Sequence, residues 1–569
     1  MLRQRRRRWA ETHSARSAHR GESVICNAAM PTGAHGGAPA GEQSNQDHFI
    51  GPQRAELFDG PAMRREFWAF LRYAGPPTAS YALDAAVEII ALTYIAKIGE
   101  RELAAAGLAF MLSNMTGHAV YTGMSTALGT VGSQAFGAQK YHLVGNILQQ
   151  SLLVVGATLV PISILWAFAG SIFYYSGVVP EIATMAGTVI RMQIMTLPPM
   201  ALMQLVKVWL ESQGILPPIT YASLVVCAMT QVFCHVLIGW DALGLGVYGA
   251  PVAIFAAYSI GDVALIAFIV KRGYHTKTWK GFSPNVWIGL GAFATMAYVG
   301  AGMVCLEWWS YEILGVVGSA FGETATAVQT VLVNFSYFLY AAGEGIAIAA
   351  GARVGNALGA GDAMAAKQSA VMAIGLAICS SMLIVLPLAP SEGAWSAPFL
   401  QEEESVELVA TCTPALIIFL VFNGSYGALS GILLGSGKQK VGVQANLFAC
   451  YLVGMPFGLM LSFYYQQSIL GLWWGQCFGV AVLCVMLSGY LMSLDWDAMA
   501  DKARDAAERG EAELDVREAQ FYALLESSLQ DVEMQESKLG TFGEVRTQAA
   551  DDQDSVDGGL VLDPHSKRV

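Results

Sequence analysis

Charge is what this sequence has least of. Only 13% of its 569 residues are Asp, Glu, Lys or Arg, whereas 54% are hydrophobic, and its mean hydropathy is +0.46. A soluble domain carries roughly 25% charged residues, and half that share cannot cover the surface of a water-soluble body of this size. The composition therefore excludes a disordered chain and an ordinary cytosolic enzyme, and it favours an all-α integral membrane protein.

Several motifs of soluble chemistry are also missing. The nine cysteines show no CxxC spacing and lie mostly in apolar runs, which argues against a zinc site and a disulfide framework. The sequence contains no HExxH motif, and it has no GxxxxGK[ST] loop of the kind that cradles nucleotide phosphates in ATP-driven proteins. We therefore expect a protein that is not an enzyme and that needs no metal or cofactor.

What the chain does contain is a series of apolar stretches between residues 73 and 494, each near the roughly 20 residues that a membrane helix needs. Twelve such segments are predicted, at 73–98, 104–133, 145–175, 182–206, 217–239, 245–270, 285–317, 323–352, 365–390, 405–432, 441–464 and 469–493. They predict a multi-pass protein whose partners are the lipid bilayer and a small-molecule substrate.

The segments predict five regions in the chain. These are a disordered cytoplasmic extension (1–66), a first lobe with six helices (67–270), a cytoplasmic connection (271–284), a second lobe with six helices (285–495) and an acidic cytoplasmic tail (496–569). From residue 497 onward there are 18 acidic and 8 basic residues, so the tail accounts for 8 − 18 = −10 of the net charge of −12. We expect this tail to be helical near 497–536.

Positive charge is distributed unevenly between the segments. The loops after even-numbered segments hold most of the lysines and arginines, among them Lys140, Lys271, Arg272 and Arg353. By the positive-inside rule, both termini are predicted to be cytoplasmic. The membrane is predicted to be the plasma membrane or that of a vacuole or other organelle. Basic residues also crowd into the first 20 positions, but no basic folded surface is indicated, so nucleic acid is not an expected partner. We expect a monomer.

An internal repeat relates the two halves. Residues 123–138 read GMSTALGTVGSQAFGA and residues 345–360 read GIAIAAGARVGNALGA, at an offset of 345 − 123 = 222. Because six helices separate the copies, the topology of the two halves is the same. The repeat predicts two lobes related by a pseudo-two-fold axis along the membrane normal, with a cavity between them.

Acidic residues inside the apolar segments are the candidate functional groups, because charge in a membrane is costly. Glu312 in segment 7 is the leading candidate, since desolvation disfavours the ionised form of a carboxyl group and a proton-exchange site needs that property. Glu307 is either a second acid of the same pocket or is held by a partner on another helix. Tyr311 and its tryptophan neighbours could bind an organic cation, although the tryptophans also fit an interfacial aromatic belt.

Three further acids are weaker candidates. Asp84 and Glu88 are four residues apart in segment 1 and so share one helix face. That face is expected to line the cavity, or else the pair is satisfied by Lys97 or Arg191. Glu344 lies between two glycines in segment 8, which suggests a local kink.

Several motifs together resemble the multidrug and toxic compound extrusion (MATE) family, in its eukaryotic branch, from about residue 68 to 504. The motifs are Asn114-Met-Thr-Gly117 with GMSTALGTVGSQAFGA at 123–138, LESQGILPP at 210–218, WKGFS at 279–283, CLEWWSYE at 305–312, ARVGNALGAG at 352–361, GSGKQKVG at 435–442 and YLVGMPFG at 451–458. The resemblance implies twelve helices in two lobes and cation-driven antiport.

The resemblance also implies roles for particular residues. Glu312 falls on the coupling glutamate of segment 7, and Asn114 falls on an asparagine of the first lobe's site. Elsewhere the chain departs from the family. Asn334 stands where animal members carry a glutamate, Asn423 where an acid is usual, and Ala91 where bacterial members carry an aspartate.

The sequence thus predicts a secondary antiporter that exports organic compounds (organic cations, drugs or secondary metabolites) in exchange for protons, with sodium as the alternative coupling ion. Two other functions stay open. An exporter of organic anions would need a basic patch in the cavity, for which only Arg191 and Lys207 lie at a suitable depth. A non-transporting scaffold would act through its tails and would need no acids inside the membrane.

Overall fold

The structure is a computed structural model that describes residues 60–239, 244–391, 393–396, 403–517 and 520. Twelve helices in these ranges are long and apolar enough to cross a membrane, which confirms the twelve predicted segments. They are α1 Gly60–Ala96, α2 Glu100–Gly137, α3 Tyr141–Ala167, α4 Pro180–Ser212, α5 Pro217–Leu237, α6 Gly246–Arg272, α7 Leu290–Phe321, α8 Glu323–Gly359, α9 Ala363–Ser391, α10 Glu403–Gly435, α11 Gln439–Tyr464 and α12 Ser468–Met492.

The main departure from the predicted boundaries is at the start of α1. The sequence places residues 1–66 in an extension, but the helix already begins at Gly60. Its first turns carry Arg64, Arg65 and Glu66, so they lack the apolar pattern by which a membrane helix is identified. The predicted extension over residues 1–59 lies outside the described residues.

Two hydrophobic cores correspond to the two lobes, but α1 and α7 are shared between them. Phe293 and Ala297, near the start of α7, belong to the core built mainly from α1–α6. Phe70 and Ala74, near the start of α1, belong to the core built mainly from α8–α12. These residues are related by the repeat, since 293 − 70 = 223 and 297 − 74 = 223. The lobes are therefore pseudo-symmetric, and the first turns of α1 and α7 each pack in the core of the opposite lobe.

We call the side of the bundle where α1 begins and α12 ends the terminus face. On this face α2 of the first lobe meets the ends of α8 and α10 and the start of α11. Gln134 donates a hydrogen bond to the carbonyl oxygen of Gly435 at 2.9 Å, and the Thr130 hydroxyl donates to the carbonyl oxygen of Leu434 at 2.7 Å. Gln439 in turn donates to the Thr130 hydroxyl at 2.8 Å. These contacts close the terminus face between the lobes.

An ion pair attaches the start of α1 to the second lobe at the terminus face. The guanidinium of Arg353 on α8 makes a two-pronged contact with the Glu66 carboxylate on α1, with Nε 2.9 Å from Oε1. The Ser369 hydroxyl of α9 donates to the same Oε1 at 2.7 Å. Both charged side chains are largely buried, so the pair is shielded from solvent.

The tail begins with a helix, α13, over residues 496–517. This confirms the first part of the helix predicted near 497–536, and most of the remainder lies outside the described residues. Ala500 and Ala503 are buried in the core of the second lobe. Glu511 pairs with Lys140 at 2.8 Å, just before α3 of the first lobe. The helix therefore contacts both lobes on the terminus face.

Candidate functional site

A cavity that is partly open to its surroundings lies in the second lobe. It is formed by α7, α8, α10 and α12, with Tyr81 of α1 closing one side. Its lining residues are Tyr81, Glu307, Trp308, Tyr311, Leu314, Gln329, Val333, Ser336, Tyr337, Tyr340, Phe419, Asn423, Leu472, Trp473 and Gln476. Seven of these fifteen residues are aromatic, one carries an ionisable carboxylate, and none is a lysine or an arginine.

Glu307 supplies that carboxylate. Its Oε2 accepts a hydrogen bond of 2.8 Å from the hydroxyl of Tyr426, a residue of α10 that lies outside the cavity lining. The sequence left open whether Glu307 shares a pocket with Glu312 or is held by a partner on another helix. In the structure Glu307 lines the cavity without Glu312 and is held by Tyr426 of α10. A carboxylate held by one donor keeps its other oxygen available for a ligand.

Aromatic side chains build nearly half of the cavity wall. The Tyr311 ring packs edge-on against Tyr337 and Phe419, and its hydroxyl donates to Asn423 Oδ1 at 3.1 Å. Tyr311 and Asn423 are therefore brought together at the cavity, as their selection from the sequence anticipates. Of the two tryptophans beside them in sequence, Trp308 lines the cavity. Trp309 donates to the carbonyl oxygen of Met115 on α2 at 2.9 Å.

Glu312, the leading candidate from the sequence, does not line this cavity. It lies five residues after Glu307, and five residues turn a helix by about 140° beyond one full turn. Within the described residues Glu312 has no hydrogen-bond or ion-pair partner, and it interacts electrostatically with Glu88 of the first lobe. Asn334 is also outside the cavity, because its side chain is exposed and donates to the Thr330 carbonyl of its own helix.

The first lobe contains a buried ion pair instead of two free acids. Lys207 Nζ of α4 lies 2.7 Å from Asp84 Oδ2 and also donates to the hydroxyls of Ser223 and Ser80, at 2.6 and 3.2 Å. The sequence offered Lys97 and Arg191 as partners for Asp84, which is wrong: both lie elsewhere. Lys207, which is 5% exposed, was not considered for this role from the sequence, although it lies on the same helix as Arg191.

The remaining candidate acids, Glu88 and Glu344, have different neighbours. Glu88 accepts a hydrogen bond of 3.0 Å from Asn114, so the structure brings these two candidates together. Glu344 is outside the cavity lining but close enough to Glu307 for the two carboxyl groups to interact electrostatically. The expected kink at Glu344 is absent from the helix assignment, which is continuous α-helix through Gly343 and Gly345.

The glycines beside Glu344 allow α8 to pack closely against neighbouring helices. Gly343 lies against Gly424 of α10, with 3.5 Å from an added Cβ position to the Gly424 Cα, and Gly345 lies directly against Thr78 of α1. Small residues of this kind let membrane helices approach closely.

Two residues that matter in the structure were missed from the sequence. Asp262 of α6 is a buried carboxyl group in the first lobe, with Lys207 as the nearby opposite charge. Asp262 could have been selected from the sequence, because it is an isolated acid in an apolar stretch. Tyr426 gave no such signal, because a tyrosine in a membrane helix is ordinary and only its contact with Glu307 distinguishes it. No group of three acidic, histidine or cysteine residues in the described ranges could hold a metal ion.

Comparison with known proteins places these features in context. The sequence profile of the MatE family matches residues 76–237 and 301–460. Protein DETOXIFICATION 16 of Arabidopsis thaliana is 30% identical over 448 residues, which cover 78% of this chain and 91% of that protein. Multidrug and toxin extrusion protein 1 of Xenopus tropicalis is 29% identical over 497 residues, which cover 87% and 85% of the two chains.

A solved structure gives the same result. The crystal structure of the eukaryotic MATE transporter AtDTX14 superposes with a TM-score of 0.74 at 27% sequence identity. The match covers 78% of this chain and 99% of that one, so it includes both lobes.

Proposed function

The chain belongs to the multidrug and toxic compound extrusion family of membrane transporters, and from this premise we propose that it is a secondary antiporter that exports organic cations in exchange for protons. The observation that carries the proposal is the cavity beside Glu307, which combines one carboxylate with walls of tyrosine, tryptophan and phenylalanine. Aromatic faces attract organic cations, and a carboxylate supplies the opposite charge.

Protons and cations compete for the same carboxylate in this proposal. A cation is held while Glu307 is ionised, and it is released when a proton neutralises the carboxyl group. The proton then leaves on the other side of the membrane and restores the charge. The gradient drives export only because each ligand has a different affinity for the two orientations of the transporter.

The contacts between the lobes support an assignment of the orientation. If the terminus face is cytoplasmic, as the positive-inside rule predicts, the closed terminus face corresponds to a cavity that is shut off from the cytoplasm. Proton binding and cation release then take place in this orientation. Opening requires separation of α2 from α8, α10 and α11.

The lining of the cavity disfavours the export of organic anions. It includes no basic side chain. The two basic residues considered for that purpose are also engaged elsewhere, since Lys207 is paired with Asp84 and Arg191 donates to the Gly187 carbonyl of its own helix at 2.8 Å.

The proposal is tested with the full-length chain in proteoliposomes. Uptake of tetraethylammonium and of citrate is measured under an imposed pH gradient and, separately, under a sodium gradient. We expect tetraethylammonium to move with the pH gradient alone. Movement of citrate, movement driven only by sodium, or no movement of either compound would overturn the proposal. The last result would favour the scaffold function.

The roles of the two glutamates in α7 are separated by matched variants. We expect Glu307→Gln to abolish transport driven by the pH gradient while the protein still inserts and folds. Glu312→Gln changes a carboxyl group of the same helix outside the cavity, so we expect transport to continue. The reverse result would assign the coupling to Glu312, as the resemblance implies.

A further inference from the structure

Tyr426 connects Glu307 to the helices behind the cavity. Its hydroxyl donates to Glu307 Oε2 at 2.8 Å, and it accepts a hydrogen bond of 3.2 Å from Asn446 Nδ2. Tyr426 is 1% exposed and Asn446 is fully buried. Because the amide of Asn446 donates to the hydroxyl oxygen, the hydroxyl proton is directed at the carboxyl group of Glu307.

The three residues come from three different helices. Glu307 is on α7, Tyr426 on α10 and Asn446 on α11. Directly after Asn446, α11 changes from α-helix to a π-helical segment, Leu447–Gly454. Such wide turns are rare and are frequent at functional sites. Tyr426 lies outside the cavity lining, so it contacts the carboxyl group from behind and not the substrate.

The same two helices close the terminus face. The end of α10 supplies the carbonyl oxygens of Leu434 and Gly435 that bind α2, and Gln439 at the start of α11 binds Thr130 of α2. From Tyr426 to Gly435 and from Asn446 to Gln439 the chain is helical. A change in the hydrogen bond at Glu307 is thus linked through rigid helix to the contacts between the lobes.

We propose that Tyr426, held by Asn446, is a positioning residue for Glu307 and passes the charge state of that carboxyl group to α10 and α11. An ionised carboxylate accepts a stronger, charge-assisted hydrogen bond than a neutral carboxyl group does. Protonation therefore weakens the link between α7 and the two helices that hold the terminus face closed. This inference rests on the role proposed above for Glu307.

Other titratable groups also surround Glu307 and share its environment. They are Tyr81 of α1, Tyr311 of α7, Tyr337, Tyr340 and Glu344 of α8, and Cys450 of α11. Among the described residues, Tyr426 is the one that donates a hydrogen bond to the Glu307 carboxyl group.

The test uses the conservative variant Tyr426→Phe in the full chain. Binding of tetraethylammonium to the purified protein is measured across a range of pH. Removal of the donor favours the protonated carboxyl group, so we expect the pH of half-maximal binding to rise by about one unit, a tenfold change in proton affinity. As a control, Tyr451→Phe removes a hydroxyl that donates to the backbone oxygen of Leu306 at 2.8 Å, and we expect no shift.

Two further variants separate the proposed role of Glu307 from that of Tyr426. Glu307→Gln should abolish the pH dependence, and adding Tyr426→Phe to it should change nothing more. If Glu307→Gln keeps the normal pH dependence, the proposed role of Glu307 fails. If it loses that dependence but Tyr426→Phe binds with an unchanged midpoint, only the inference about Tyr426 is overturned.

A conformational readout gives an independent check. In a Ser133→Cys background, where the new thiol is buried at the terminus face, the rate of maleimide labelling reports separation of the lobes. We expect the pH at which labelling accelerates to shift with Tyr426→Phe, and in the same direction with Asn446→Leu. Equal labelling profiles in all three proteins would contradict the link to α10 and α11.

Discussion

Gly137 and Gly359 occupy equivalent positions in the two lobes, and each packs against the backbone of the segment that carries the other. A Cβ atom at Gly137 would lie 2.9 Å from the Asn356 Cα, and one at Gly359 would lie 2.8 Å from the Gln134 Cα. The offsets agree, because 359 − 137 = 222 and 356 − 134 = 222. The internal repeat seen in the sequence is therefore also a contact between the lobes, and glycine is required where the copies meet.

Gly137→Ala should force the lobes apart at the terminus face, because its new methyl group meets backbone that cannot yield. Overpacking of this kind costs about 1–3 kcal/mol, so we expect maleimide labelling of a Ser133→Cys reporter to accelerate by about 5- to 150-fold. Gly156→Ala is the control, since a Cβ there meets nothing within 4 Å. Equal labelling of the two variants would contradict the proposed closure.

Glu66→Gln should loosen the same face by a different route. It removes the charge that Arg353 binds and leaves a largely buried guanidinium without its carboxylate. We expect faster hydrogen–deuterium exchange in the last turns of α8. The control is Glu181→Gln, whose ion pair with Arg101 is more than half exposed, and exposed pairs contribute about 1 kcal/mol or less. Protection that is unaltered in Glu66→Gln would show that this pair does not hold the start of α1 against α8.

Lys207→Met should destabilise the first lobe, because it leaves the Asp84 carboxylate buried without a partner. The loss of one member of a buried pair costs about 3–5 kcal/mol. The double variant Asp84→Asn with Lys207→Met removes both charges, and we expect it to recover most of the loss. Thermal unfolding of the purified proteins in one detergent measures the effect. A single variant as stable as the parent would show that the pair contributes little.

Tyr337→Leu should weaken cation binding without unfolding the protein. The ring lines the cavity, and a cation–π contact contributes about 0.5–2 kcal/mol, which corresponds to an affinity loss of about 2- to 30-fold. Phe338→Leu changes the next residue, which is 57% exposed and points away from the cavity, and we expect no loss. Calorimetric titration with tetraethylammonium compares them. Equal affinities for the two variants would remove Tyr337 from the binding site.

The sequence predicted the fold more completely than the site. Hydropathy locates twelve helices because the bilayer excludes charge, and the spacing of the repeat indicates two equivalent lobes. The exchange of the first turns of α1 and α7 between the lobes has no counterpart in hydropathy, because an apolar residue is equally apolar in either core. Phe70 and Phe293 therefore gave no signal in the sequence for the core in which each is buried.

For the candidate site, the sequence pattern of a single helix also does not predict which of its faces lines the cavity. An intramembrane helix such as α7 is apolar on every side, so its pattern does not reveal which face is turned toward a cavity. The sequence selected both Glu307 and Glu312 but ranked them without that information. Likewise, the partners Lys207 and Tyr426 lie on helices far away in the chain, and only the tertiary structure brings them to Asp84 and Glu307.

The helix that follows the last membrane span, α13, offers a way to follow the conformation of the transporter from outside the membrane. α13 pairs with Lys140 through Glu511, and its Arg504 packs against Gly361, which connects α8 and α9. One short helix is thus attached to both moving bodies, and it cannot keep both attachments unchanged when they rotate. Two dyes, one on α13 and one beside Lys140, would report the distance between these positions by energy transfer. We expect this distance to change in each transport cycle, and the membrane helices and the substrate would carry no label.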